Sequence, residues 1–398
     1  MRYLFMVIAS VSCLLSGFRA IPAEAAPAPA GQVAGAASLP VQIPVPAVSA
    51  RAWILMDYAN GQVLAEHNAE QRLEPASLTK MMTTYLVAEA LADKRLSLQQ
   101  PVVVSERAWR TQGSRSFVPV NGQVLVDDLL KGMVIQSGND AAVALAEAVG
   151  GSEPAFATMM NQTAQRLGLK DTNFLNASGF FDGAQPTHYS TAHDMARLAA
   201  ALVREHPEIH RLHAVKEYTY AGIRQYNRNR LLWADPSVDG LKTGHSNAAG
   251  YCLVATSLRG PRRLISVVLG APSDEARARD SLNLLNWGYM AFDAIKVYGK
   301  GQTVSQFKVF KGAQNTVKVG VTEDLIISVP RGMAAKLTTR LESRQPLLGP
   351  IHRGTKVGML KLTLGGQAWG EYPVVALEEV PLAGFFGRLW DTLVLWFR

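Results

Sequence analysis

The chain has 398 residues, enough for two or three domains. At 48% hydrophobic and 18% charged residues it has the make-up of a soluble globular protein with a real core, and no internal run of about 20 apolar residues supports a polytopic membrane protein. The formal net charge of +8 is spread without a dense Lys/Arg block, which suits a solvated surface facing anionic lipid or wall polymers rather than nucleic acid.

Residues 1–25 read as a signal peptide. Arg2 is followed by a largely apolar stretch from Leu4 to Leu15, and Ala23-Glu24-Ala25 ends in an A-x-A pattern that puts cleavage before Ala26. The apolar stretch is short for an uncleaved anchor, and Cys13 lies inside it, which argues against a lipoprotein. Residues 26–46, rich in Ala, Pro and Gly and uncharged, form a flexible lead-in. Once the signal is removed only Cys252 remains, so no internal disulfide can form. That fits a bacterial exported protein with a large core, in which Cys252 is a buried strand residue.

"RAWILMDYANGQVLAEHN" alternates around Asn60-Gly61 and predicts a hairpin. In "PASLTKMMTTYLVAEALADKRLS" the apolar residues fall at helical spacing, which puts Ser77 at a helix N-terminus. "LVDDLLKGMVIQSGNDAAVALAEAVGG" predicts a helix, a break at Ser137-Gly138-Asn139, and a second helix stopped by Gly150-Gly151. "GYCLVATSLR" and "RRLISVVLGA" are strands around a turn, and "EARARDSLNLLNWGYMAF" is an amphipathic helix. Residues 47–291 therefore form a mixed α/β (α+β) body with a mostly antiparallel sheet and a helical part. Short alternating segments with Gly turns then predict a small all-β domain over 293–376. The tail, 380–398, places Leu382, Phe385, Phe386, Leu389, Trp390, Leu393, Val394 and Phe397 on one stripe. It is too short and too charged to span a bilayer easily, and its aromatics suit a helix lying in a membrane surface; the alternative is a helix docked on the protein's own core.

Three short motifs carry chemistry. Ser77 and Lys80 sit one helical turn apart, so the hydroxyl and the amine meet. Ser137-Gly138-Asn139 occupies the inter-helix turn, and Lys242-Thr243-Gly244 precedes the strand run at Tyr251. Each alone is common. In the order S-x-x-K, S-x-N, K-T-G they make the motif set of penicillin-binding proteins and class A β-lactamases. A serine hydroxyl is a weak nucleophile and needs a base within reach. Lys80 serves once burial and the neighbouring Lys242 lower its pKa. Ser137 can relay a proton, Asn139 offers an amide to substrate, and the backbone N–H groups of Ser77 and His245 suit an oxyanion hole. An extended peptide can pair along the strand after Thr243. His206, His210 and His213 are spaced for a cluster, but Pro207 interrupts that helix; they read as a polar surface, not a metal site.

With "IQSGNDAAVALAE", "NASGF" before "HYSTAHDMA", "NRNRLLW" and "VDGLKTGHSNAAGYCLVA", the chain resembles the D-alanyl-D-alanine carboxypeptidases among the low-molecular-mass penicillin-binding proteins (peptidase family S11, penicillin-binding protein 5 type). The resemblance covers nearly the whole mature chain, including the β domain and tail. It implies a β-lactamase/penicillin-binding-protein-like catalytic domain, Ser77 as acylated nucleophile with Lys80 as base, and Ser137 and Asn139 as the second motif. Lys242 and Thr243 hold substrate, and either Arg228 or Arg277 faces its terminal carboxylate. The implied substrates are peptidoglycan stem peptides ending in D-Ala-D-Ala, with β-lactams as acylating inhibitors and no cofactor. The location is the periplasmic face of the bacterial inner membrane, reached peripherally through the tail. A D,D-endopeptidase and a non-catalytic wall-binding protein are the alternatives. A class A β-lactamase is disfavoured because "NASGFFDGAQPTHYSTAHD" lacks the glutamate that deacylates in that class, and Gly138 stands where it usually has Asp.

Overall fold

The computed structural model describes residues 43–343 and 345–397. The expected signal peptide, with Cys13, and nearly all of the lead-in lie outside the described residues.

The predicted hairpin is present as strands Ala52–Asp57 and Val63–His67. They join a five-stranded sheet whose order is Val63–His67, Ala52–Asp57, Arg262–Ala271, Gly250–Arg259, Val238–Ser246, each pair antiparallel. Strand Ala52–Asp57 is buried along its whole length, because both sheet faces are covered. Its side chains alternate between two cores. Ile54 and Met56 pack with Met81, Met82 and Tyr85 of helix Lys80–Ala92 and with Leu198 of helix Ala192–Glu205. Trp53 and Leu55 pack with Leu284, Leu285 and Trp287 of helix Asp274–Ala291. Helix Lys80–Ala92 is buried on nearly every side and shows no polar stripe. A further cluster around Val126, Leu129, Met133 and Val143 makes the helical part beside the sheet.

One element differs from expectation. Lys242-Thr243-Gly244 precedes the strand Gly250–Arg259, as expected, but itself lies inside the edge strand Val238–Ser246, with Lys242 opposite Val254 and Thr243 opposite Leu253. Two glycines and two charged residues within "VDGLKTGHS" hide the β pattern, and the sheet next to it supplies what propensity does not.

Helix Asp274–Ala291 runs directly into strand Phe292–Tyr298, which opens the β part. That strand pairs with Leu325–Pro330. A six-stranded sheet follows in the order Leu337–Ser343, Lys356–Leu364, Gln367–Ala376, Thr316–Gly320, Thr303–Phe310, Leu347–Leu348. Val317, Val319, Ile327, Leu360, Leu362 and Val374 form its core. Bridges from Ile351 to Val380 and from Gly312 to Leu382 extend the β part slightly past 376. Helix Phe385–Trp396 ends the described chain, and none of its described residues is buried, so it is not docked on the protein's own core. Its one acid, Asp391, accepts a hydrogen bond from the Lys311 backbone N–H. Among the described residues no helix is long and apolar enough to cross a membrane.

The hairpin turn plugs into the β part. Asn60 donates to the Ile326 carbonyl at 2.8 Å and Gln62 to the Ser328 carbonyl at 2.9 Å. Beneath them Arg262 pairs with buried Asp57 at 3.0 Å and donates to the Ser328 hydroxyl at 2.5 Å and the Phe292 carbonyl at 2.8 Å. Removing one partner of a buried pair leaves an uncompensated charge. Arg262→Met is therefore expected to destabilise by about 3–5 kcal/mol. Denaturant unfolding followed by tryptophan fluorescence checks this, since Trp369 donates to the Ser328 carbonyl at 3.0 Å; an unchanged midpoint would show that the interlock contributes nothing.

Candidate active site

Ser77 sits in the 3-10 turn Ala76–Thr79, and Lys80 begins the α-helix that follows. In a 3-10 turn, residues i and i+3 eclipse. The Lys80 Nζ accordingly stands 3.0 Å from Ser77 Oγ. It also donates to Asn139 Oδ1 at 2.6 Å and to the Ser178 carbonyl at 2.8 Å. Lys80 is fully buried. Burial, helped by the Arg228 guanidinium and opposed by Asp140, brings its pKa down to about 7. Arg228 thus joins Lys242, the cation to which the sequence pointed, since the repulsion between Lys80 and Lys242 acts on both.

Ser137 occupies the left-handed region at φ +68°, in the break before helix Asn139–Gly150. This turns its hydroxyl towards Lys242, whose Nζ donates to Ser137 Oγ at 2.9 Å and to the Thr243 carbonyl at 3.0 Å. Burial holds the Lys242 pKa well below the ordinary lysine range, with Lys80, Arg228 and Arg277 adding repulsion. The Asn139 amide is partly committed: its oxygen serves Lys80 and its nitrogen donates to the Gln112 carbonyl at 2.6 Å.

These groups meet at a cleft of about 470 Å³ lined by Ser77, Ser137, Asn139, Thr243, His245, Arg228 and Arg277, with Gly113, Ser114 and Phe180 among its other walls. Lys80 and Lys242 lie beneath, hydrogen-bonded to the two serines. The His245 ring packs on Tyr251, centroids 4.0 Å apart. The two arginines differ. Arg277 is buried, ion-paired to Asp274, and donates to the Gly244 carbonyl at 3.0 Å. Arg228 is exposed at the cleft and makes no ion pair among the described residues. Asp274 also pairs with Arg230 at 2.5 Å.

The side-chain motifs gave no sign of several other contributors. Ser178 acts through its carbonyl. The preceding amide, of Ala177, donates to buried Glu153 at 3.1 Å, and Arg107 pairs with the same carboxylate at 2.5 Å. Asp140, fully buried, accepts from the Ser116 and Phe117 amides at 2.8 and 3.0 Å and so pins the wall holding Gly113 and Ser114. Thr79 Oγ1 meets His188 Nε2 at 2.8 Å. The histidine trio is no polar surface: His210 and His213 are buried, because residues 207–214 fold into helical turns packed on the edge strand. Cys252 is buried as expected, and burial pushes its thiol up to about 11.

The sequence model of D-alanyl-D-alanine carboxypeptidases matches residues 39–273, and that of the penicillin-binding protein 5 C-terminal domain matches 292–382. The chain belongs to the D-alanyl-D-alanine carboxypeptidase family. The carboxypeptidase DacC of Escherichia coli is 43% identical over 89% of this chain and 90% of its own length. DacA of Haemophilus influenzae is 40% identical over 88% and 90%. Among solved structures, penicillin-binding protein 5 of Haemophilus influenzae superposes with a TM-score of 0.80 at 38% identity, covering 85% of this chain and all of that one. Penicillin-binding protein D2 of Listeria monocytogenes in its ampicillin-bound form gives 0.57 at 34% identity, over 62% of this chain and 100% of that one.

In this family member the Ser77 turn is held by a close backbone approach. Gly179 has φ +72°, and a Cβ there would lie 1.9 Å from the Ala76 carbonyl oxygen and 2.5 Å from Thr79 Oγ1. Gly179→Ala must therefore displace the turn. Labelling by a fluorescent penicillin is expected to slow by about 100-fold, the usual penalty for roughly 1 Å of misplacement. Gly61→Ala, with a similar φ of +72° but open surroundings, is the control and should label at the parent rate.

Proposed function

We propose that this protein is a serine D,D-carboxypeptidase that removes the terminal D-alanine from peptidoglycan stem peptides through an acyl-enzyme on Ser77. The observation that carries this is the buried Lys80 amine, 3.0 Å from Ser77 Oγ with a pKa near 7. A neutral amine has two N–H donors and one lone pair. Asn139 Oδ1 and the Ser178 carbonyl, both acceptors, take the donors, which leaves the lone pair for the Ser77 proton.

Ser77 Oγ attacks the carbonyl between the two D-alanines as Lys80 takes its proton. The oxyanion that forms is met by the backbone N–H groups of Ser77 and His245. Ser137, polarised by Lys242, passes its proton to the departing amine and takes the proton held by Lys80, and the C–N bond breaks to release D-alanine, which leaves Lys80 neutral again. Water then attacks the ester as Lys80 takes its proton, and that proton goes to Ser77 Oγ as the ester C–O bond breaks, which frees the shortened peptide acid and regenerates Ser77. Thr243 and Asn139 hold the peptide, and Arg228 pairs with its terminal carboxylate, since Arg277 is already engaged by Asp274. A β-lactam follows the same path to the acyl stage. Ser77→Ala is expected to abolish both penicillin labelling and D-alanine release. Acylation by the parent should rise through pH 7 and level off above it, because below that pKa Lys80 carries a proton and cannot accept another. Labelling of Ser77→Ala above trace level, or a rate flat from pH 6 to 9, would contradict the assignment. Mass spectrometry of digested sacculi separates loss of one D-alanine from cross-link cutting.

The same reading puts the protein on the periplasmic face of the inner membrane, peripherally. Phe386, Trp396 and Phe397 of the tail are 83%, 82% and 86% exposed, and Phe385, Leu389, Trp390 and Leu393 extend the apolar surface. Each such side chain contributes roughly 1.5–3 kcal/mol when buried, so several together hold a helix in a lipid surface without spanning it. Truncation after Gly384 is expected to move the protein from the membrane to the soluble fraction with peptide turnover unchanged. A truncated protein still sedimenting with membranes would overturn this part.

A further inference from the structure

We propose that His213 is a positioning residue for Lys242, acting through the Leu241 carbonyl and fixing where the open edge of strand Val238–Ser246 begins. The proposal rests on the acyl-serine reading above. His213 is fully buried on the 3-10 turn Arg211–Ala214, outside the sheet, with its Nδ1 2.8 Å from the Leu241 oxygen. A carbonyl only accepts, so Nδ1 carries the proton and the Nε2 lone pair is left without a partner among the described residues. Burial, with His210 beside it, keeps the imidazole neutral by bringing its pKa to about 3. Asp239 and Lys242 are its other charged neighbours.

The Leu241 carbonyl and the Lys242 nitrogen belong to one planar peptide. Holding that carbonyl therefore sets the backbone from which the Lys242 side chain reaches Ser137. Alternate residues of an antiparallel strand aim their backbone groups towards the partner strand and away from it. Leu241, bonded from outside the sheet, faces away, and so by alternation do Thr243 and His245. Beyond Gly240, whose carbonyl is taken by Asn229, His213 thus occupies the outward acceptor at Leu241, Lys242 Nζ reaches the next at Thr243, and the edge beyond stays open for substrate. Turn and strand are each tied down: Asn227 donates to the carbonyls of His213 and Val215 at 3.2 and 3.0 Å, and Asn229 to that of Gly240, on the strand, at 3.0 Å. Gly240 permits the approach, since a Cβ there would stand 3.3 Å from His213 Cβ.

The test uses the full-length protein and fluorescent penicillin. His213→Phe keeps a ring and removes the donor, and His213→Leu is a second donorless variant should the first not fold. His213→Asn returns an N–H close to the Nδ1 position. The donorless variants are expected to acylate about tenfold more slowly, the size of effect an unsatisfied buried carbonyl produces. The midpoint of their rise with pH should stay at the parent value, because the partners of Lys80 are untouched. His213→Asn should recover to within about threefold; the donorless variants are expected to melt lower, because the carbonyl is left unpaired, but their slower acylation should persist well below their melting temperatures. Acylation of the donorless variants at the parent rate overturns the proposal. So does equal impairment of His213→Asn, or a loss that follows melting temperature alone. A parent that fails to label at all would instead refute the acyl-serine reading, so the two failures are separable.

Discussion

A fully buried lysine amine is the constraint on which the site is built. An ammonium buried without compensation costs several kcal/mol, and the group responds by giving up its proton more readily. Lys80 is held in that condition by two carbonyl-type acceptors drawn from far apart in sequence, Asn139 and Ser178, and by the serine one turn before it. Each acceptor ties in a different wall. Asn139 reaches the Gln112 carbonyl, and the loop of Ser178 is fixed through Ala177 to Glu153 and Arg107. The chemistry of one amine and the packing of two loops are therefore the same arrangement.

The second lysine solves a different problem. Lys242 stands beneath the cleft among positive groups, and Arg228, Arg277 and Lys80 all act against its charge. Asp274 takes up part of this excess by pairing with Arg277 and Arg230, and Asp140 favours the charged form of Lys80. The positive field that remains suits a substrate that ends in a carboxylate and develops an oxyanion during reaction. Arg228, with no ion pair among the described residues, is where that field opens to the cleft.

The side-chain motifs were legible because the chemistry demands particular residue types at short spacing: Ser77 with Lys80, and Ser137 with Asn139. The hairpin at Asn60-Gly61, the helix break at Ser137, and the alternating strands after Phe292 were legible because periodicity and turn residues report local structure. What stayed hidden works through backbone or long range. Ser178 and Leu241 act by their carbonyls, which every residue has. Glu153, Asp140 and Asp274 are ordinary acids until the fold buries them or brings arginines to them. The strand carrying Lys242 was masked by its glycines, and the histidines after Pro207 read as surface because their short turns have no periodicity to reveal the strand they pack on.

The junction between the sheet and the β part has a consequence for where such an enzyme can work. No linker separates helix Asp274–Ala291 from strand Phe292–Tyr298, and the hairpin turn and Arg262 bolt the two parts together from the side. With the tail resting on lipid as proposed, the cleft has one working height instead of a swinging reach. Such a molecule trims the wall as a gauge does, acting on stem peptides in a thin stratum and leaving those above it alone. Changing the depth of trimming would then require lengthening the β part itself, since no joint exists to extend.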